Sequence, residues 1–268
     1  MARPTSLIDV RVEERRITSF IRKVVAASGA AGVVIGLSGG VDSGVVGALC
    51  VKALGSERVL CALLPSRHTP HADMDDAKSM VAEWGARRVT VGISPIVDNL
   101  VSAVGEAEGR IPGANVQARM RMAILYYLAN SHNLLVVGTG DRSEELLGFF
   151  TKFGDGGADL MPIAHLFKTQ VRAMAEHLGL PVSVAKKPAS PQLWSGHTAE
   201  EELPAGYEKL DAVMHYIFDE RATARIAAEK AGVERSVAEQ VIERYARSAH
   251  KRALPPMLQP QGVRKRAQ

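Results

Sequence analysis

The chain has 268 residues, of which 46% are hydrophobic, so it can bury a large core within one α/β domain. Its 33 basic and 29 acidic residues give a formal net charge of +4, a balance too mild to indicate a nucleic-acid partner. Cys50 and Cys61 are the two cysteines, and without a C-x-x-C pair they exclude a zinc ribbon or a dithiol relay. We expect a cytoplasmic protein that binds no membrane, because no apolar stretch is long enough for a span or a signal core.

The first half of the chain is predicted to alternate between helix and strand. An amphipathic helix over 9–28 precedes a strand over 33–37 that is uncharged and rich in β-branched residues, which is typical of a strand buried on both faces. The elements predicted next are helix 41–54, strand 58–65, helix 73–85, strand 87–93, a short helix at 95–105, helix 114–131 and strand 133–139. With right-handed crossovers this order gives a doubly wound, mostly parallel sheet with helices on both faces.

The second half is predicted to be a long irregular segment followed by helices. Residues 140–166 are rich in glycine, and irregular segments after a strand's C-terminal end often carry function. Beyond them we predict helix 168–179, a short strand near 181–185 that completes the sheet, a long loop, and a helical C-terminal region over 206–248. We expect a single domain over 1–268 and leave open a flexible tail from about 253 to 268.

The stretch "SGGVDS", residues 38–43, joins the first predicted strand to the next helix. A helix N-terminus offers unpaired N–H groups and a positive dipole end, and Gly39 and Gly40 allow the backbone to approach an anion closely. The string matches neither a Walker loop nor a dinucleotide fingerprint, and an ordinary capped turn remains an alternative. The hexapeptide resembles the PP-loop of the ATP pyrophosphatases, which split ATP into AMP and pyrophosphate.

Two acidic residues follow strand ends and form a candidate metal pair. Asp42 by itself could be a helix cap, and Glu144 by itself could be a solvated helix charge. Together they lie at the sheet edge where open α/β proteins bind ligands, and Mg²⁺ prefers one or two carboxylates completed by phosphate and water. We therefore predict Mg²⁺ at Asp42 and Glu144.

Several further motifs are similar to the ammonia-dependent NAD synthetase family: "NVQARMRM", "GTGDRSEE", "FFTKFGDGGAD", "LWSGHTAEEEL" and the late "HKR". The resemblance covers nearly the whole chain, from about residue 10 to about 258. It implies that ATP and ammonia convert deamido-NAD to NAD, AMP and pyrophosphate through an adenylated carboxylate. It also implies a homodimer, and we expect no glutamine-hydrolysing domain ahead of the first strand, so that free ammonia or a separate protein supplies the nitrogen.

The same resemblance implies which residues bind each substrate. Asp42, Lys168 and Asp159 are the implied catalytic residues. The implied ATP site consists of Gly36, Leu37, Ser38, Gly39, Gly40, Val41, Asp42, Ser43, Thr139, Lys168 and Ser190. The implied deamido-NAD site consists of Arg119, Lys152, Asp159, His250 and Lys251. Ser190 replaces a threonine of many relatives and keeps the hydroxyl, whereas Leu63 replaces an arginine that some bacterial relatives carry near ATP.

The residues themselves leave alternatives to these roles. Arg119 and Lys152 suit phosphates or a carboxylate as ligands, but each could belong to a solvated basic face, and Asp159 could close a turn. Trp194 is a loop anchor or part of a lid. Another PP-loop enzyme, such as a GMP synthetase subunit or a tRNA-modifying enzyme, and a nucleotide sensor without catalysis are the alternative functions.

Overall fold

A four-stranded parallel sheet forms the centre of the chain, in a computed structural model that describes residues 8–105, 107–190, 193–194 and 196–258. The strands are β1 (Gly32–Gly36), β2 (Val59–Leu63), β3 (Arg87–Thr90) and β4 (Leu134–Val137), in the order β3-β2-β1-β4. The central strand β1 pairs in parallel with both neighbours, Val34 lying opposite Leu60 on one side and Val136 on the other. The predicted doubly wound parallel sheet is thus confirmed.

Helices cover both faces of this sheet. They are α1 (Val10–Ser28), α2 (Val41–Leu54), α3 (His71–Trp84), α4 (Ser94–Val104), α5 (Arg110–His132), α6 (Arg142–Leu147), α7 (Lys168–His177), α8 (Val182–Ala185), α9 (Tyr207–Met214), α10 (Ala224–Ala231) and α11 (Arg235–Arg247). Side chains along a strand alternate between faces: Val33 and Ile35 pack with α1, α2 and α7, whereas Val34 packs with residues of α5. Because helices cover both faces, the side chains of β1 are buried whichever way they point, which explains why β1 has no polar side chain.

The C-terminal helices form a second apolar core beside the carboxyl end of the sheet. Leu210 and Val213 of α9 pack with Val241 of α11, and this cluster also includes Leu147 at the end of α6 and Phe167 just before α7. A π-helical turn, His215–Asp219, links α9 to the following loop. The predicted helical region over 206–248 is confirmed, and through α6 and α7 it is packed against the segments that follow the sheet.

The predicted strand near 181–185 is wrong, because these residues form the helical turn α8. The N–H of Ala185 donates to the carbonyl of Pro181 at 2.9 Å, a helical bond, while Val184 is buried in the main core and Val182 is exposed. The alternation of valines was a weak strand signal that local packing overrides. At the β4 edge Leu160 instead forms a single parallel bridge with Val137.

The ends of the chain are only partly described. Residues 253–258 have exposed side chains and no regular structure, and the rest of the predicted tail, 259–268, lies outside the described residues. The prediction of one domain over 1–268 stays a prediction. None of the described helices is both long and apolar enough to cross a membrane.

Candidate active site

The loop over 36–43 connects the carboxyl end of β1 to the first turn of α2. Gly40 is the N-cap of α2 and provides no side-chain cap, so by geometry the first N–H groups of the helix lack intrahelical partners. Ser43 shapes the loop from inside, since its hydroxyl accepts from the N–H of Ser38 at 3.2 Å and donates to the carbonyl of Gly40 at 3.1 Å. The backbone groups of this turn are therefore held in one arrangement, with a helix N-terminus open to an anion.

Asp42 is not a helix cap, because Gly40 occupies that position and Asp42 lies in the first turn of α2. Its carboxylate oxygen Oδ2 accepts a hydrogen bond of 2.8 Å from Nζ of Lys168, the first residue of α7. The same Nζ donates to Oε1 of Glu144 at 2.8 Å and lies 3.0 Å from Oδ2 of Asp141. Three carboxylates from two helix N-termini thus surround one lysine, whose side chain is 1% exposed.

Asp141 orients the Glu144 carboxylate toward this lysine. Asp141 is the N-cap of α6, and its side chain accepts from the N–H of Glu144 at 2.8 Å. The Glu144 carboxylate in turn accepts from the N–H of Asp141 at 3.3 Å, which completes a capping box. Asp141 was not predicted as a site residue, although its position three residues before a glutamate at a strand end is the signature of such a cap.

The buried lysine and carboxylates perturb one another's pKa values. Burial raises the pKa of Asp141 to about 6 although the charge of Lys168 opposes the rise, and burial likewise raises the pKa of Glu144 well above its ordinary value. Burial alone would lower the pKa of Lys168, but the negative charges of the three carboxylates outweigh it and hold the pKa well above its ordinary value. The three carboxyl groups therefore favour the charged form of Lys168, and Lys168 is the cation they share.

A chain of buried hydrogen bonds that leads to α9, in the C-terminal helical region, fixes the backbone of Lys168. Its backbone N–H donates to the hydroxyl of Ser143 at 2.9 Å, and that hydroxyl donates to Asp211 of α9 at 2.6 Å. The other oxygen of Asp211 accepts from the N–H of Thr169 at 2.9 Å. Through these bonds the second apolar core sets the position at which α7 begins, and hence the position of the ammonium group.

A cavity of about 510 Å³ opens beside the loop, between the carboxyl ends of β1, β2 and β4 and the helix α5. Of the predicted site residues, those that line it are Gly36, Leu37, Ser38, Thr139, Ser190 and Lys251. The Nζ atom of Lys251 donates to the carbonyls of Gly148 and Phe150 at 2.8 and 2.7 Å. The volume falls within the range of small-molecule sites in proteins.

Four residues predicted to contact deamido-NAD lie outside the wall of this cavity. Asp159 accepts from the N–H of Val136 at 2.7 Å and from the hydroxyl of Tyr126 at 3.1 Å, so it ties the segment after Gly157 to β4. Nε of Arg119 donates to the carbonyl of Lys152 at 3.3 Å, and His250 is exposed. The structure therefore brings Asp42, Glu144 and Lys168 together. It leaves Arg119 and His250 exposed and Lys152 half-buried, all three outside the cavity wall.

Two charged residues in the cavity wall, Arg121 and Asp155, were not predicted as site residues from the sequence. Nε of Arg121 donates to the carbonyl of Leu64, just after β2, at 3.0 Å, and burial lowers the pKa of its guanidinium to about 10. Asp155 is open to the cavity, yet desolvation by the surrounding protein raises the pKa of its carboxyl. Leu63, by contrast, is fully buried in β2, so the basic group beside this strand end comes from α5.

Trp194 lines the same cavity, in the segment predicted to be a loop. Its ring stacks on the ring of His197 with a centroid distance of 3.4 Å, and Nε2 of His197 lies 2.6 Å from the carboxylate of Glu202. The hydroxyl of Ser190 donates to the carbonyl of His197. Residues 191, 192 and 195 of this segment lie outside the described residues, so the lid role stays a prediction.

The parallel sheet, the loop at the end of its central strand and the cavity beside it define an α/β protein with a candidate ligand site at the carboxyl edge of the sheet. The family model for NAD synthase matches residues 13–255. The chain belongs to the NAD synthase family.

Relatives and solved structures agree with this assignment. The NH(3)-dependent NAD(+) synthetases of Staphylothermus marinus and Hyperthermus butylicus are 47% and 46% identical, over 91% and 95% of this chain and 90% and 93% of theirs. The NMN synthetase of Francisella tularensis is 31% identical with a TM-score of 0.83, over 95% of this chain and 100% of its own. The NH3-dependent NAD synthetase of Campylobacter jejuni is 28% identical with a TM-score of 0.81, over 94% of this chain and 100% of its own.

Proposed function

We propose that the protein is a ligase that forms a carbon–nitrogen bond, converting deamido-NAD, ATP and ammonia to NAD, AMP and pyrophosphate. The observation that carries this function is the 40–48% identity to NH(3)-dependent NAD(+) synthetases over about nine-tenths of the chain. Because ATP is a substrate, we expect the reaction to take place in the cytoplasm.

The reaction has two steps in one pocket. First, the nicotinate carboxylate of deamido-NAD attacks the α-phosphorus of ATP, forming an acyl–phosphate bond as the bond to pyrophosphate breaks. Ammonia then attacks the carboxyl carbon, AMP leaves with the bonding electrons, and a proton is released to give the neutral amide. Neither step needs a nucleophilic side chain, so catalysis rests on positioning and on charge stabilisation.

The loop from Gly36 to Ser43 is the proposed site of the ATP phosphates, together with Thr139, Lys168 and Ser190. In support, the loop ends at a helix N-terminus, and Ser38, Thr139 and Ser190 line the adjacent cavity. With Mg²⁺ taking up the charge of Asp42 and Glu144, Lys168 would offset negative charge that accumulates on the departing pyrophosphate. Its burial and its fixed backbone keep the ammonium group in place without further reorganisation.

Asp42 and Glu144 are the proposed Mg²⁺ ligands, and their carboxylates both accept a hydrogen bond from Nζ of Lys168. Oδ1 of Asp42 is buried without a hydrogen-bond partner, which suits a metal ligand. Among the described residues no three His, Cys, Asp or Glu side chains are arranged to hold a metal, and a magnesium ion completed by phosphate and water needs only one or two. When bound, Mg²⁺ would neutralise charge on the pyrophosphate as it leaves.

Deamido-NAD is the proposed ligand of Arg119, Lys152, Asp159, His250 and Lys251. Lys251 alone among these lines the cavity described above. The other side chains would meet the dinucleotide where it extends beyond the cavity. The hydrogen bond from the N–H of Val136 in β4 would hold the Asp159 carboxylate in position there.

A homodimer is the proposed assembly, and exposed apolar side chains on α4 and α5 support it. No residue of α4 is buried, although Ile96, Leu100 and Val104 are apolar. Ile111 and Tyr127 of α5 are exposed as well. Light scattering should give a mass near twice the 28.8 kDa of one chain, and a mass of one chain would contradict the dimer.

The function is tested by quantifying products from purified protein with ATP, Mg²⁺ and each acceptor and nitrogen source. We expect NAD, AMP and pyrophosphate with ammonium, and little NAD with ammonia-free glutamine. The two acceptors to be tested are deamido-NAD and nicotinic acid mononucleotide, the second because one structural neighbour is an NMN synthetase. ADP as the main product would refute the class, equal rates with glutamine would refute the nitrogen source, and preference for the mononucleotide would replace the proposed acceptor.

A further inference from the structure

Lys187 contacts the backbone of the phosphate loop without lining the cavity. Its Nζ donates to the carbonyl of Gly39 at 2.8 Å, to Oδ1 of Asp73 at 2.7 Å and to Oδ2 of Asp76 at 2.7 Å. The side chain is 19% exposed and is not among the residues that line the cavity. Lys187 therefore contacts the loop itself, 148 residues away in sequence, and not the space proposed for the substrate.

The bond to Gly39 fixes the direction of the next N–H group. In a trans peptide the carbonyl of one residue and the N–H of the following residue point to opposite sides. With the Gly39 carbonyl on Lys187, the N–H of Gly40 points to the other side, where it donates to Oγ of Ser38 at 3.3 Å. Ser38 lines the cavity, so this N–H faces the side on which phosphate would bind. A flip of the peptide would turn a carbonyl toward the phosphate.

Such a flip changes ψ of Gly39 and φ of Gly40, and neither residue has a Cβ that would oppose it. The φ of Gly39 is +82°, a region that glycine adopts at little cost and other residues rarely enter. The backbone is seated closely on α3, since a Cβ at Gly39 would lie 2.1 Å from the carbonyl oxygen of Asp73. A glycine is thus required there, and its freedom must be restrained from outside.

The carboxylates of Asp73 and Asp76 hold the Lys187 ammonium in place and offset its positive charge. Burial pulls the pKa of Lys187 down, but its hydrogen bonds to Asp73 and Asp76 outweigh burial and leave the pKa raised. Asp76 is itself held by the hydroxyl of Ser183 at 2.9 Å. One ammonium with two carboxylates carries a net negative charge, so the group does not act by attracting phosphate from a distance.

We propose that Lys187 is a positioning residue that locks the Gly39–Gly40 peptide with its N–H toward bound pyrophosphate. The inference rests on the proposed function, because it takes the loop to be the site of the ATP phosphates. It predicts that loss of Lys187 weakens ligands that carry pyrophosphate and spares ligands that carry only the nucleoside monophosphate.

The test compares Lys187→Met with Lys186→Met, which removes a neighbouring exposed lysine. Isothermal titration with Mg²⁺ present measures the affinity of each variant and of the unaltered protein for pyrophosphate, ATP and AMP. A hydrogen bond to a charged group is typically worth about 1.5–3 kcal/mol, so Lys187→Met should bind pyrophosphate and ATP roughly ten- to a hundredfold more weakly. AMP affinity should change by less than about twofold, and Lys186→Met should match the unaltered protein.

Three results would overturn the lock. The first is an unchanged affinity of Lys187→Met for pyrophosphate. The second is a loss of AMP affinity in Lys187→Met as large as its loss of pyrophosphate affinity. The third is a loss of pyrophosphate affinity in Lys186→Met as large as that in Lys187→Met. If Lys187→Met does not fold, Lys187→Arg replaces it, because a planar guanidinium cannot set one nitrogen among three oxygens. Lys187→Arg should bind pyrophosphate and ATP several-fold more weakly with AMP affinity unchanged, and an unchanged affinity for pyrophosphate would refute the proposal. Failure of the proposed function is distinct: the unaltered protein would form no NAD while binding pyrophosphate through a loop that still depends on Lys187.

Discussion

Removing the buried ammonium group of Lys168 should destabilise the protein in a way that depends on pH. In Lys168→Met, three carboxylates that lie within 3.0 Å of one nitrogen lose their common cation. Removing one partner of a buried ion pair typically costs about 3–5 kcal/mol, because the remaining charge stays buried. We expect a loss of that size in the free energy of unfolding at pH 8, measured in urea without Mg²⁺.

The loss should shrink as the pH falls. Burial already raises the pKa of Asp141 to about 6 in the presence of Lys168, and without the lysine the carboxyl pKa values must rise further. The folded variant then binds more protons than the unfolded chain, so its stability decreases with rising pH by about 1.4 kcal/mol per pH unit for each additional proton. Unfolding curves at pH 5, 6, 7 and 8 should therefore show the variant recovering toward pH 5.

Lys52→Met is the matched control, because Lys52 is 50% exposed and pairs with Glu14 at 3.0 Å. An exposed pair contributes less than about 1 kcal/mol, with little dependence over this pH range. If Lys168→Met lost no more than the control at pH 8, or lost the same amount at pH 5 and pH 8, the description of a buried, charged cluster would be refuted.

Three further predictions concern the rest of the fold. Burial raises the pKa of Cys50 and also that of Cys61, the latter to about 12, so neither thiol should react with Ellman's reagent at pH 8 until the protein is unfolded; fast labelling of the native protein would contradict this. Hydrogen bonding to Lys52 lowers the pKa of Glu14, so its stabilisation is present above the unfolded pKa and is lost as the pH falls below about 4.5. Glu14→Gln should therefore be less stable by under about 1 kcal/mol at pH 7 and equal to the unaltered protein near pH 3, and a constant difference would disprove the linkage. Asp159→Ala leaves a main-chain N–H of β4 without its acceptor and should lower stability by about 1–3 kcal/mol, whereas an unchanged urea midpoint would assign Asp159 to ligand binding alone.

Elements with a strong local pattern could be predicted from the sequence. The apolar, β-branched run Val33–Ile35 predicts a doubly buried strand, and β1 is such a strand. The helices predicted at 41–54 and 73–85 agree with α2 and α3 to within two residues. The short segment 181–185 could not be predicted in the same way, because four or five residues contain too few turns to separate a strand from a helical turn.

The candidate site was predictable only in part. The loop and Asp42 follow from a contiguous motif, since the backbone geometry that suits an anion is encoded within eight residues. Arg121 and Asp155 gave no comparable signal. Their place in the cavity wall depends on how α5 and the segment after α6 pack against the sheet.

The sequence by itself determined the order of strands and helices from α1 to β4, the loop at the end of β1 and the family resemblance, because each depends on neighbours in the chain. Only the tertiary structure decided that Lys168 would meet Asp42, 126 residues away, and that Lys187 would meet Gly39, 148 residues away. The carboxyl ends of parallel strands lie at one edge of the sheet. The charged residues that come after those strands in the chain are buried together at that edge. Which charges share that edge is set by packing between elements, and no spacing along the chain records it.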